Sequence, residues 1–197
     1  MKRVTAIMFC VLILSSCSSH KIRVVSSERI KTNIVGIELC SNQNETGIEK
    51  ALSREFPDKL FMVTTQIDGK GKAIRAFSLL DQTFAFANLS WTYVEVDLNE
   101  KSQVYCIAII GSYESVENAK KQYDLVVSTY TEKYGKGNYD QNSSDSETVF
   151  WTDDVNSVGV QYEKSAAING SDRSFCTLYY TNIALLDKFE KYNTPDI

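Results

Sequence analysis

Histidine is nearly missing from this chain: His20 is the only one in 197 residues, and it lies close to the N-terminus. Catalysis by an internal Ser-His-Asp or Cys-His arrangement needs an imidazole inside the folded domain, so that chemistry is set aside. Long apolar runs are missing too. The most apolar internal segment, "VYCIAIIG" from Val104 to Gly111, is strand-sized and well short of the roughly 20 residues a membrane-spanning helix needs. Positive charge is not concentrated anywhere: 21 basic residues stand against 25 acidic ones, for a formal net charge of −4. Nucleic-acid binding draws on dense positive charge, so no nucleic-acid partner is expected. The cysteines are widely spaced and have no domain histidine beside them, so neither a metal site nor a cofactor is expected. "GKGKA", Gly69 to Ala73, lacks the full phosphate-loop spacing GxxxxGK[ST] and reads as a solvated hairpin turn.

What the chain does have is a patterned N-terminus. Lys2 and Arg3 supply a short positive region, Ala6 to Leu14 an apolar stretch, and polarity returns directly after Cys17 with Ser18, Ser19, His20 and Lys21. This order reads as a processed targeting segment. The stretch "LSSC", Leu14 to Cys17, resembles the lipobox of bacterial lipoproteins. The resemblance implies that residues 1–16 are a signal peptide removed ahead of Cys17. It further implies that Cys17 is the lipid attachment site, acylated on its thiol and then on its new amino group. More than one acyl chain makes membrane residence stable where a single chain is marginal, so the lipid bilayer is the expected partner of Cys17. Cleavage would leave 19 basic and 25 acidic residues, a formal charge of −6 with His20 neutral. That charge should hold the domain off an anionic lipid surface.

Residues 17–33 then read as a lipidated N-terminus and polar tether, whose "IRVV" can add an edge strand. Residues 34–197 read as a single α+β domain, divisible at most into 34–82 and 83–197. Of the cysteines left in the domain, Cys40, Cys106 and Cys176, three cannot all pair within one chain. Each follows or interrupts an apolar run, which favours small buried hydrophobes. One disulfide is the alternative in an oxidising compartment.

Periodicity supplies the elements. Asn44 to Pro57 carries Ile48, Ala51, Leu52 and Phe56 along one helical face, with Asn44 as cap and Pro57 as stop. From Leu60 to Ile110 the texture is that of strands separated by Gly, Asp, Asn and Lys turns, most simply an antiparallel meander. In "WTYVEVDL" an unbroken strand would point Trp91, Tyr93 and Glu95 to one side and Thr92, Val94 and Val96 to the other. A helix from Ser112 or Tyr113 to about Tyr134 is marked by Val116, Ala119, Tyr123, Val126, Val127, Tyr130 and Tyr134 at spacings of three and four. Residues 138–147 read as a polar loop, followed by three strands and a terminal helix over "IALLDKFEKY". Asp153 and Asp154 read as solvated carboxylates at a turn. The expected fold class is therefore α+β: an antiparallel sheet meander packed against one long amphipathic helix and shorter helices.

In this order the segments "FAFANLSWTYVEVDL", "VYCIAIIGSYESVENAKKQYDLVVSTYTEKYGKG", "VFWTDDVNSVGVQYE" and "CTLYYTN" acquire a resemblance. They are similar to a recurring pattern in small lipoproteins and secreted proteins of Bacteroides-type bacteria. There an aromatic strand pair leads to a helix ending in Lys-Tyr-Gly, here Lys133, Tyr134 and Gly135, then to a strand with tryptophan, here Trp151, and a Tyr-rich last strand. The resemblance spans about residues 83–182 and implies an α+β domain without supplying catalytic residues. Surface-exported lipoproteins of that group carry an acidic cluster after the lipid-bearing cysteine. Its absence here favours the periplasmic face, and the absence of aspartate directly after Cys17 leans toward the outer membrane by the rule known from enteric bacteria. The function expected is a noncatalytic binding or assembly module for an envelope protein or glycan, with Trp91, Trp151 and Tyr93 as candidate contacts. The alternative is a hydrolase acting on glycans through paired carboxylates, although no catalytic residue stands out.

Overall fold

The computed structural model describes residues 28–68, 71–78, 83–143, 146–164 and 173–186. Cys17 and the lipobox-like stretch ahead of it, the expected turn at Gly69 and Lys70, and most of the expected terminal helix lie outside these residues. The fold is α+β and mostly antiparallel sheet. Eight strands run in the spatial order β3 (Phe61–Asp68), β4 (Gly71–Ser78), β7 (Tyr93–Leu98), β8 (Val104–Tyr113), β12 (Ser174–Asn182), β11 (Asn156–Lys164), β10 (Ser146–Thr152) and β9 (Asn138–Ser143). Two separate hairpins complete the strands: β1 (Asn33–Ile34) with β2 (Ile37–Glu38), and β5 (Phe84–Phe86) with β6 (Leu89–Trp91). The chain thus lays down one four-stranded meander, crosses by a helix and lays down a second, whose last strand returns beside β8. Because β4 pairs with β7, the described parts of 34–82 and 83–197 share one sheet.

Why these residues make this sheet is clearest at its centre. Val104 to Ile110 is buried at every position, as its run of Val, Ile, Ala and Cys requires of a strand with no solvent face. On one sheet face Val94, Val96, Leu98, Ile107, Ile109, Val158, Val160, Leu178 and Tyr180 form the main core. That face is covered by α1 (Glu45–Glu55), α2 (Val116–Tyr134) and both hairpins. Asn44 caps α1, its Oδ1 accepting from the Gly47 N–H at 2.8 Å. Ile48 and Leu52 go into the core, each contributing about 1.5–3 kcal/mol of burial. The Phe56 ring meets those of Phe61 and Phe84 at 5.9 and 4.9 Å.

Helix α2 begins at Val116, with Ser115 as its cap, because Ser112 and Tyr113 belong to β8. Ala119, Tyr123, Val126, Tyr130 and Tyr134 of the expected stripe are buried, while Val116 and Val127 are partly so. Gln122 is buried as well, its Nε2 donating to the Ser90 carbonyl at 2.9 Å. Gly135 ends the helix at φ 83°, in the left-handed region that glycine enters without penalty.

Four expectations need correction. Residues 138–147 are not a loop: 138–143 form edge strand β9 and Ser146 opens β10, because pairing to β10 overrides a composition poor in strand formers. The chain does not run unbroken from Trp91 to Val96. It bends at Thr92, so Trp91 packs in the same core as Val94 and Val96 while Tyr93 turns to the opposite face. The fold begins before residue 34: Ile30 is buried, and its N–H donates to Asp153 Oδ2 at 2.8 Å. Asp153 is accordingly no solvated carboxylate, since its Oδ1 also accepts from the Val155 and Asn156 N–H groups at 2.8 and 2.7 Å.

Candidate interaction edge and sheet face

The three residues singled out as candidate contacts part company in the structure. Trp91 is 0% and Trp151 1% exposed. Their indole N–H groups donate to the Phe86 and Gly135 carbonyls at 2.9 and 2.8 Å. Both tryptophans are sealed core residues with no face to offer a ligand. The Trp151 bond ties the Lys-Tyr-Gly helix end to the tryptophan strand, which gives that pairing of motifs a packing reason. Tyr93 instead lies partly exposed on the sheet face away from α2, with its ring 4.9 Å from that of Phe77.

Register places Tyr93 in a row. Met62 opposes Phe77, Phe77 opposes Tyr93, and Tyr93 opposes Ile110, giving an apolar band across four strands. The next row is polar: Thr64, Arg75 and Glu95, with Arg75 Nε donating to Glu95 Oε2 in a largely buried ion pair. Asp97, Ser157 and Thr181 follow on the same face, all buried. Sequence reasoning missed Met62 and Phe77, because only register shows that they stand beside Tyr93.

The band ends at β3, and β3 is where the sheet stops. Among the described residues nothing pairs with its outer side. The direction of its backbone follows from one bond: the Ser78 N–H donates to the Thr92 carbonyl at 3.4 Å, towards β7. A strand residue directs its N–H and C=O to the same side, and successive residues alternate. Phe61 opposes Ser78, so Phe61, Val63, Thr65 and Ile67 direct their backbone groups away from β4, to the open edge. Thr65 is held from within by α1, its hydroxyl donating to Glu45 Oε1. Leu60, Met62 and Ile67 are 68, 49 and 76% exposed, and no residue from 61 to 67 is charged.

The other edge is built differently. Strand β9 is six residues long, shifts register against β10 and carries Asp140. Short length, irregular pairing and charge are the features that discourage strand addition, and an even, uncharged, apolar edge invites it. Covering Leu60, Met62 and Ile67 would gain about 4 kcal/mol in total. Immobilising a partner costs about that much or more, so docking here is weak unless both partners are held nearby.

Glu163 stands apart from the polar row. Burial raises the Glu163 carboxyl above its ordinary range. Its place on β11 lies three strands and four residues from the Glu95 row, about 20 Å at strand spacing, where glycosidase carboxyl pairs stand about 5–9.5 Å apart. Among the described residues no group of three or more His, Cys, Asp or Glu side chains could hold a metal ion. No disulfide joins the described cysteines: Cys106 and Cys176 are buried and Cys40 is exposed. The expectation of burial therefore fails at Cys40, which sits in a turn at φ 65°. Partial desolvation and then Glu38 raise its thiol pKa, which makes it a poor nucleophile. Tyr130 and Tyr180 share a buried hydroxyl contact beneath α2. Burial pushes Tyr130 up to about 12, so it stays neutral as a packing group. No helix among the described residues is long and apolar enough to cross a membrane. No family model, curated protein or solved structure matches the chain.

Proposed function

We propose that this protein is an outer-membrane lipoprotein held through an acylated Cys17 and facing the periplasm. Its domain serves as a noncatalytic binding or assembly module that accepts an extended protein segment along β3. The observation that carries this reading is the β3 edge: seven uncharged residues with outward backbone groups at Phe61, Val63, Thr65 and Ile67, ending the Met62–Phe77–Tyr93 band. Main-chain pairing supplies affinity in strand addition, and alternate side chains supply choice. In this reading α2 is the long amphipathic helix of the domain. It spends its apolar stripe on one sheet face and leaves the recognition surface to the other face and the edge. Membrane anchorage suits a weak edge, because two partners confined to one surface meet at raised effective concentration.

The experiment is site-specific photocrosslinking in intact cells, with the photoreactive residue at Ile67 and mass spectrometry of the products and of the Cys17 terminus. A defined crosslink, lost when Met62→Lys is added, together with an acylated Cys17, supports the module. A crosslinker that reacts only with lipid or water refutes the edge as a docking site, and an unmodified Cys17 refutes the anchor.

A further inference from the structure

We infer that the segment docking on β3 is β3 of a second copy of this chain, paired antiparallel about a two-fold axis through Thr64 and joining two eight-stranded sheets into one. The inference rests on the strand-docking reading above and names its partner. Its basis is the match of this edge to its own reversed image. A two-fold axis normal to the sheet opposes residues on the same face, so it must pass through a residue and not between two. Centred on Thr64, it sets Phe61 opposite Ile67 of the partner and Val63 opposite Thr65 of the partner. These are all four of the residues whose backbone groups face outward, and each hydrogen-bonded pair exchanges two bonds. No other centre uses all four.

Side chains agree with that register. On the helical face, Ile67 gains the Phe61 ring of the other copy, an aromatic with β-branched pairing that stabilises antiparallel ladders. On the opposite face Thr64 meets its own counterpart, hydroxyl to hydroxyl, and Met62 meets Gln66. With no charge between residues 61 and 67, the paired strands themselves bring no like charges together, the usual obstacle to isologous contacts; Glu45, bonded to Thr65 on the helical face, is the charge that lies beside the axis.

The register makes Thr64 a sharp reporter. Its backbone points to β4, so across the axis Thr64 and its mate form a non-hydrogen-bonded pair, whose Cα atoms stand about 4.5 Å apart, within disulfide range. Thr64 is exposed, so Thr64→Cys leaves the core untouched. The test is full-length chain in its own envelope, in a Cys40→Ser background, analysed by non-reducing electrophoresis after mild oxidation. Thr64→Cys should give mostly disulfide-linked dimer, while Met62→Cys and Gln66→Cys, which lie on the same face and do not meet themselves in this register, should give at least fivefold less. Adding Ile67→Lys to Thr64→Cys should lower the dimer at least fivefold. Equal yields at all three positions, or a yield indifferent to Ile67→Lys, would mark random collision and overturn the inference. No dimer from Thr64→Cys, with the Ile67 photocrosslinker capturing a different protein, would overturn self-pairing and leave the docking edge standing. No product from either would remove both.

Discussion

Asp153 offers the most quantitative test of how the chain enters the fold. One oxygen serves the β10–β11 turn through the Val155 and Asn156 N–H groups, and the other accepts from Ile30 at 2.8 Å. Asp153→Asn leaves an oxygen that the two turn amides both claim, and turns an NH2 group towards the Ile30 N–H. One partly buried hydrogen bond to a charged acceptor is lost, worth about 1.5–3 kcal/mol, and the burial of Ile30 weakens with it. We expect Asp153→Asn to destabilise by about 2 kcal/mol. Asp153→Ala loses all three bonds, but water replaces the acceptor at the exposed Val155, so its cost should be about 3 kcal/mol. Urea denaturation gives both values, and amide exchange locates them. The Ile30 amide should exchange faster in both variants, and the Asn156 amide only in Asp153→Ala. If Ile30 keeps its protection in Asp153→Asn, the carboxylate does not pin the segment and the reasoning is wrong.

Other expectations follow from single positions. Glu163 is half-buried with its pKa raised by desolvation, so it favours the folded state at low pH and loses that contribution as pH rises through its folded pKa. Glu163→Gln should therefore stabilise the protein at pH 7 and have little effect at pH 3, as thermal unfolding at the two pH values will show. Ala87 and Asn88 join β5 to β6 at φ 51° and 61°, a turn that needs left-handed residues at both places. Ala87→Gly should raise stability by about 0.5 kcal/mol, the left-handed cost of an L-residue less the extra freedom glycine gives the unfolded chain; an unchanged or lower melting temperature would contradict this. A Cβ on Gly137 would strike Val149 Cγ1 and the Trp151 ring. Gly137→Ala should cost about 2 kcal/mol and shift Trp151 fluorescence, and a neutral result would mean that the helix end yields freely.

Legibility in the sequence followed how local each signal was. The α2 stripe and the Asn44 cap are written in spacings of three and four, and the structure buries Ala119, Tyr123, Val126, Tyr130 and Tyr134 accordingly. Strand β9 was illegible because Asn138 to Ser143 becomes a strand only through its neighbour. Thr92 hid the break that separates Trp91 from Tyr93, since alternation carries no mark of a bend. The hairpin turns Val35-Gly36 and Ala87-Asn88 escaped because neither has the Asn-Gly signature, although both sit at positive φ. The candidate site was the least legible part. Tyr93 was within reach as an aromatic strand residue, but the open side of β3 is a fact about strand order, which no window of sequence contains.

The return of β12 to the middle of the sheet also has a kinetic consequence. Tyr113 meets Ser174 across 61 residues of chain, and Cys106 meets Thr181 across 75. Until those later residues leave the ribosome, the first meander ends in β8, the most apolar of the described strands, with one side bare. Distant closures of this kind are slow, and an unpaired apolar strand is what misassembling chains seize upon. The growing chain is therefore in its most vulnerable state until β12 is made, and completion of that strand is the event that commits both halves to one structure.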